Sequence, residues 1–269
     1  MPRSRNEPRM KRFHPLRFLV IVLLLIGVAI YVQEQRLRTT SWTQPLDVTV
    51  FPINGDGSPM TARHIRDLDA STFDAIGRFM AREAQRYGVR LEQPLVVRRG
   101  PELAQLPPDP PRPDEPLWKR LAWSLLFRVW AWHYTPDDAS NFRRIRVFAV
   151  YHGKGEKTAL PHSLGIQKGL LGLVHLFADP AMKTRNDIVL AHEILHTVGA
   201  TDKYTPEGRP VIPDGLADPR QEPLFPQRRA EIMAGSIALD TNRSASPDGL
   251  RQCVVGPLSA REVGWIEEG

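Results

Sequence analysis

Hydrophobic positions recur along this chain with two periods, and the switches between them divide it into elements. Leu46-Asp-Val-Thr-Val-Phe-Pro-Ile53 alternates with a period of two, as a half-buried strand does, and Asn54-Gly-Asp-Gly57 supplies a turn after it. Between Ser71 and Tyr87 the spacing becomes helical, with Phe73, Ile76, Met80, Ala84 and Tyr87 recurring and Gly88 closing the helix. Pro94 to Val97 reads as a second strand, Arg144 to His152 as a third and Gly172 to Phe177 as a fourth or fifth. Ile188, Val189, Leu190, Ile194, Leu195 and Val198 give a further helix its apolar faces, and Thr184-Arg-Asn-Asp187 ahead of them has the spacing of an N-cap. Ser259-Ala-Arg-Glu262 has the capping pattern too and is expected to open a short last helix through Trp265 and Ile266. The order strand, helix, strand, then strands leading into a helix predicts an α+β domain over residues 46–269, long enough for a sizeable core.

Residues 101–134 form an insert between the second and third strands. Pro101 to Pro116 carries seven prolines and reads as an extended connector. Leu117 to Tyr134 then reads as a helix rich in aromatics, with Trp118, Trp123, Phe127, Trp130 and Trp132. Arg120, Ser124, Arg128 and Ala131 make a narrow stripe along it and most of the remainder is apolar. Such a helix is expected in the core, the alternative being a face laid on a membrane or a partner.

The amino end changes the picture of where this domain works. Phe18 to Gln33 holds no charged residue, and residues 18–33 are expected to form a single transmembrane anchor between a basic tail, residues 1–17, and a linker, residues 34–45. Six basic residues and one acid precede the apolar run, which predicts a cytoplasmic amino terminus and a domain held on the periplasmic or extracellular side of a bacterial-type inner or plasma membrane. A cleaved signal peptide is the alternative, with Gly27-Val-Ala29 as its cleavage candidate. Beyond that tail, thirty basic and twenty-nine acidic residues nearly balance, so the pI near 9.7 argues for no nucleic-acid partner. The single Cys253 excludes an intrachain disulfide and is expected to be buried and inert.

The candidate chemistry lies in His192-Glu-Ile-Leu-His-Thr-Val-Gly-Ala-Thr-Asp202. Two histidines four residues apart project from one helical face, so His192 and His196 can reach one metal ion, with Glu193 beside it as general base. Gly199 is placed to stop the helix and turn the chain, which lets Asp202 swing back as a third ligand. Two imidazoles and a carboxylate leave a fourth zinc position open, as a catalytic site requires. A glutamate from later in the chain, Glu222 or Glu231, is the rival third ligand.

The run resembles the metzincin metalloprotease signature, His-Glu-x-x-His-x-x-Gly-x-x-(His/Asp), and its Asp form is most similar to the snapalysin group. The resemblance covers residues 184 to 235. It implies a metzincin-like zincin domain, a mixed twisted sheet packed on an active-site helix, with a methionine in a tight turn beneath the metal. Met233, in Ala230-Glu-Ile-Met-Ala-Gly235, fits that role, its alternative being an ordinary core residue. Several metzincins carry a tyrosine two residues after the methionine, where this chain has Gly235. Tyr204 is the candidate transition-state hydrogen-bond donor in its place, against a packing or surface role. The implied activity is that of a membrane-anchored, zinc-dependent endopeptidase acting on a peptide or protein. The substrate would be laid as an added strand along Ser163 to Gln167, with the loop from Pro206 to Pro226 walling the cleft. A zinc hydrolase of another amide or ester, and a non-catalytic metal-binding envelope protein, are the alternatives.

Overall fold

The computed structural model describes residues 22–23, 40–112, 114–135, 144–153, 164–166 and 170–266. Most of the expected anchor, residues 18–33, therefore lies outside the described residues. No helix among those described is long and apolar enough to cross a membrane.

Strand β1 (Leu46–Asn54) shows why the alternating pattern matters. Leu46, Val48 and Val50 point to one face of the sheet, Phe51 and Ile53 to the other, and all five are buried. It pairs in parallel with β2 (Leu95–Arg99) on one side and with β3 (Arg144–His152) on the other. β3 pairs in parallel with β5 (Leu171–Phe177), and the edge strand β4 (Leu164–Ile166) runs antiparallel to β5. The order is β2-β1-β3-β5-β4, a mixed α/β arrangement with a largely parallel sheet. Central β3 is apolar on both faces, as a strand covered on both sides must be.

Two helices cover the first face. α2 (Asp74–Arg86) contributes Ile76, Phe79, Met80 and Ala84, and α4 (Lys183–Val198) contributes Leu190, Ala191, Ile194 and Leu195 to the same core. α1 (Pro59–Arg66) precedes α2 and has no counterpart in the hydrophobic pattern. Its signal is in the cap instead: the Ser58 hydroxyl accepts from Thr61 N at 3.1 Å and Pro59 occupies the first turn. The second face is covered by α3 (Leu117–Tyr134), whose Phe127 and Ala131 pack on Phe51, Phe148, Leu171 and Leu173. Phe127 stands edge-on to Phe148 with ring centroids 5.5 Å apart, and Trp123 Nε1 donates to the Pro108 carbonyl, fixing the proline connector to the helix.

Several expectations need correction. The helix at 117–134 is not a core helix: only Phe127 and Ala131 are buried, because one sheet face can absorb one side of a helix that is apolar nearly all round. The helix bearing the histidines starts at Lys183, upstream of the expected cap. Its entry is a 3-10 turn at Pro180–Met182 capped by Asp179, while Asp187 pairs with Lys183 at 2.8 Å. The last helix, α5 (Pro257–Glu262), starts two residues before Ser259 and ends before Trp265, since Pro257 opens it and the Ser259 hydroxyl is spent on Glu231. β2 begins and ends later than Pro94 to Val97. Cys253 is buried as expected, its thiol pushed up to about 12 by burial first and by nearby Glu231 next.

Truncation of Phe127 to alanine should cost about 4 kcal/mol in denaturant unfolding, since it empties the contact between α3 and the sheet. Asp56 gives a pH handle on the same scaffold. Burial works against its charge, but bonds from Ser58 N, Gly153 N and the Thr61 hydroxyl outweigh it and bring the pKa from 3.8 to about 2. A folded-state pKa below the unfolded one adds stability above the unfolded value and loses it as pH falls through the folded one. The melting-temperature gap between the native protein and Asp56→Asn should therefore shrink as pH is lowered from 3.8 to about 2.

Candidate metal centre

α4 places His192 and His196 one turn apart, and Gly199 ends it. With φ of +120° this residue sits in the left-handed region, and Ala200 N bonds back to Leu195 O at 3.0 Å. The chain reverses at that point, so Asp202 returns to the histidine face. Asp202 Oδ1 lies 3.2 Å from His192 Nε2 and 3.1 Å from His196 Nε2, and the two Nε2 atoms are 3.0 Å apart.

The protons of this cluster are fixed by its surroundings. His192 Nδ1 is 3.0 Å from the Ile232 carbonyl and His196 Nδ1 is 2.8 Å from the Ala200 carbonyl. A carbonyl only accepts, so each Nδ1 carries the hydrogen and each neutral ring presents a bare Nε2 lone pair. Two nitrogen lone pairs and a carboxylate oxygen thus face one another at about 3 Å with no proton among them when both rings are neutral. A cation satisfies all three at once. Ligands about 2.0–2.1 Å from a tetrahedral zinc stand roughly 3.3 Å apart, close to these edges. His192, His196 and Asp202 are a group that could hold a metal ion, and the donor chemistry fits one.

The charges within the cluster favour the ionised forms of Asp202 and His192, so a proton on a histidine Nε2 competes with a cation for the site. Burial raises the Asp202 carboxyl, but the bonds to His192 and His196 outweigh this and hold it far below the usual carboxylate range. Burial lowers His192, and the Asp202 carboxylate together with Glu193 more than reverses the effect. The centre opens to solvent on the Asp202 side, where 44% of that side chain is exposed against 14% for His192. Glu193 is buried at 5% beside His192. The ring of Tyr204 lies near the centre, its centroid 6.4 Å from that of His192, while 41% of the residue stays exposed. Burial, then Asp202, push its phenol up to about 12, so it keeps its proton at neutral pH.

Comparison with protein-family models and with curated proteins finds no match for this chain.

Met233 is fully buried in a tight turn. Ala234 N and Gly235 N both bond to the Glu231 carbonyl at 3.0 Å, with Gly235 at φ of +69°. The turn touches the centre on both sides: its Ile232 carbonyl orients His192, and its Met233 carbonyl accepts from Lys203 N at 2.9 Å, next to Asp202. Neither rival glutamate joins this group. Glu222 is exposed, and the buried Glu231 carboxylate is occupied by Gly256 N, Ser259 Oγ and Ala234 N at 2.8–3.0 Å.

Sequence reasoning missed Lys203, Thr201 and Glu262. Glu262, at the end of α5, accepts from Thr201 N, Thr201 Oγ1 and Lys203 Nζ at 2.7–3.0 Å, so it grips the loop on both sides of Asp202. Lys203 is buried and also donates to the Thr201 carbonyl. The partner is about sixty residues downstream, beyond the reach of a local motif.

Removing the Glu262 carboxylate should leave a buried ammonium without its counter-charge. Glu262→Ala is expected to cost about 3 kcal/mol in unfolding, and Lys203→Met with Glu262→Leu to recover most of it. Metal affinity of the single variant, measured against a chelating dye, should drop about tenfold because Asp202 loses its support.

Proposed function

We propose that the protein is a zinc-dependent endopeptidase of metzincin type, tethered to a membrane by residues 18–33, with its domain on the outer side. The observation that carries this reading is the set of three electron-pair donors, His192 Nε2, His196 Nε2 and Asp202 Oδ1, closed on one point beside Glu193. Two imidazoles and one carboxylate are the ligand set that leaves zinc an open coordination position.

Zinc, when bound, would polarise a scissile carbonyl and acidify a water beside it. The chain's own residues account for the proton movements. Glu193, adjacent to His192 on α4, receives the proton of the attacking water on its carboxylate and returns it to the leaving amide nitrogen. The Nδ1 hydrogens of His192 and His196 stay on the Ile232 and Ala200 carbonyls throughout, which keeps both rings in the ligating tautomer. Tyr204, protonated and partly exposed, is the group available to donate a hydrogen bond to a developing oxyanion. The edge strand β4 lies within the Ser163 to Gln167 segment, and an extended peptide would add to it as a further strand. Residues 206–226 would wall the cleft.

The test is a pair of substitutions in the full chain. Glu193→Gln should keep one zinc per protein by elemental analysis while peptide cleavage falls about a thousandfold. His196→Ala should lose the zinc. Cleavage that survives in the glutamine variant would remove Glu193 as the base, and a protein that binds zinc but cleaves no peptide library would overturn the peptidase reading.

A further inference from the structure

α3 buries only the side that meets the sheet. On its opposite side Leu117, Trp118, Leu121, Leu125, Val129 and Trp132 are each 58–67% exposed. At 100° per residue these six fall within about 120° of the helix circumference, so they form one continuous face. An apolar face of this extent on a water-soluble body marks a surface with a partner.

The chemistry of the helix selects the partner. Leu117–Tyr134 contains no acidic residue and carries Lys119, Arg120 and Arg128, of which Arg128 falls on the face. Trp118 and Trp132 are amphipathic rings of the kind that settle at the headgroup level of a bilayer. A second copy docked face to face would bring together two basic helices with no acidic residue in either; Glu115, just before the helix, is committed to Lys119 at 2.8 Å. An anionic lipid surface answers both the charge and the apolar area.

The tether brings that surface within reach. The apolar run 18–33 ends six residues before Thr40, where the described body begins, a span of about 25 Å at most when extended. β1 starts at the end of the sheet where α3 finishes: Arg146, in register with Thr49, donates to the carbonyl and hydroxyl of Thr135 directly after the helix.

We propose that the outer face of α3 docks on an anionic phospholipid bilayer, lying along the headgroup boundary and holding the domain flat against the membrane. This rests on the reading of residues 18–33 as a membrane tether and not on the peptidase reading: it stands whether or not the metal centre cleaves peptides.

The full chain reconstituted into vesicles of phosphatidylcholine and phosphatidylglycerol tests it, with lipids brominated near the headgroup end of the acyl chains as tryptophan quenchers. Bromolipid should quench the native protein, and Trp118→Phe with Trp132→Phe should remove more than about half of that quenching. Trp42 and Trp265, buried in the core, serve as internal references. Leu121→Glu with Leu125→Glu, both exposed, should abolish quenching of Trp118 and Trp132 while circular dichroism and the unfolding midpoint stay unchanged. Equal quenching in the native and double-phenylalanine proteins overturns the proposal. So does a lipid-insensitive cross-linked dimer through this face.

Discussion

With both rings neutral, two imidazole lone pairs and a carboxylate oxygen held about 3 Å apart repel one another unless a cation lies between them, and much of the surrounding structure serves to hold that cluster closed. Each donor is fixed by a different device. His192 is aimed by the Ile232 carbonyl, His196 by the Ala200 carbonyl, and Asp202 by a loop gripped at Thr201 and Lys203 by Glu262. Three such restraints leave little freedom for the donors to relax apart. That is what a preorganised metal centre requires.

The restraints come from separate segments between Ala200 and Glu262 and are brought together by the core. α4 is fixed against β5 by Leu190, Ile194 and Leu195, and Thr197 stands where a side chain on Gly172 would meet it. The methionine turn is fixed by the buried Glu231 carboxylate, which also binds the start of α5 through Gly256 N and Ser259 Oγ. α5 in turn carries Glu262. One buried acid therefore connects the support of His192 with the support of Asp202. Trp42 closes the same unit from the amino side, its Nε1 bonded to the Val263 carbonyl at 2.7 Å and its ring edge-on to Trp265.

What could be read from the sequence follows from the range of each interaction. The strand at 46–53 and the helix at 117–134 were legible because period-two and near-continuous apolar patterns are local. The approach of Asp202 to both histidines was legible too, since it needs only a helix face and a left-handed glycine eleven or fewer residues away. The helix at 59–66 was not, because its evidence is a cap and a proline rather than an apolar stripe. The Glu262 clamp and the two orienting carbonyls were also hidden. Backbone acceptors carry no residue signature, and an ion pair across sixty residues exists only once α5 has docked. The exposure of α3 was invisible for a related reason: an apolar helix looks the same in sequence whether its second side meets protein or lipid.

That last ambiguity has a structural consequence for the candidate metal centre. Along β5, Leu171 and Leu173 pack under α3, while Val174 and Leu176 face the core shared with α4. The helix that carries the histidines and the helix with the outward apolar face are thus held on opposite sides of one sheet. Neither can tilt without displacing alternate residues of the same strand. Whatever surface α3 lies on, the orientation of the His192, His196 and Asp202 cluster relative to that surface is set by the pleat of β5 rather than by a linker.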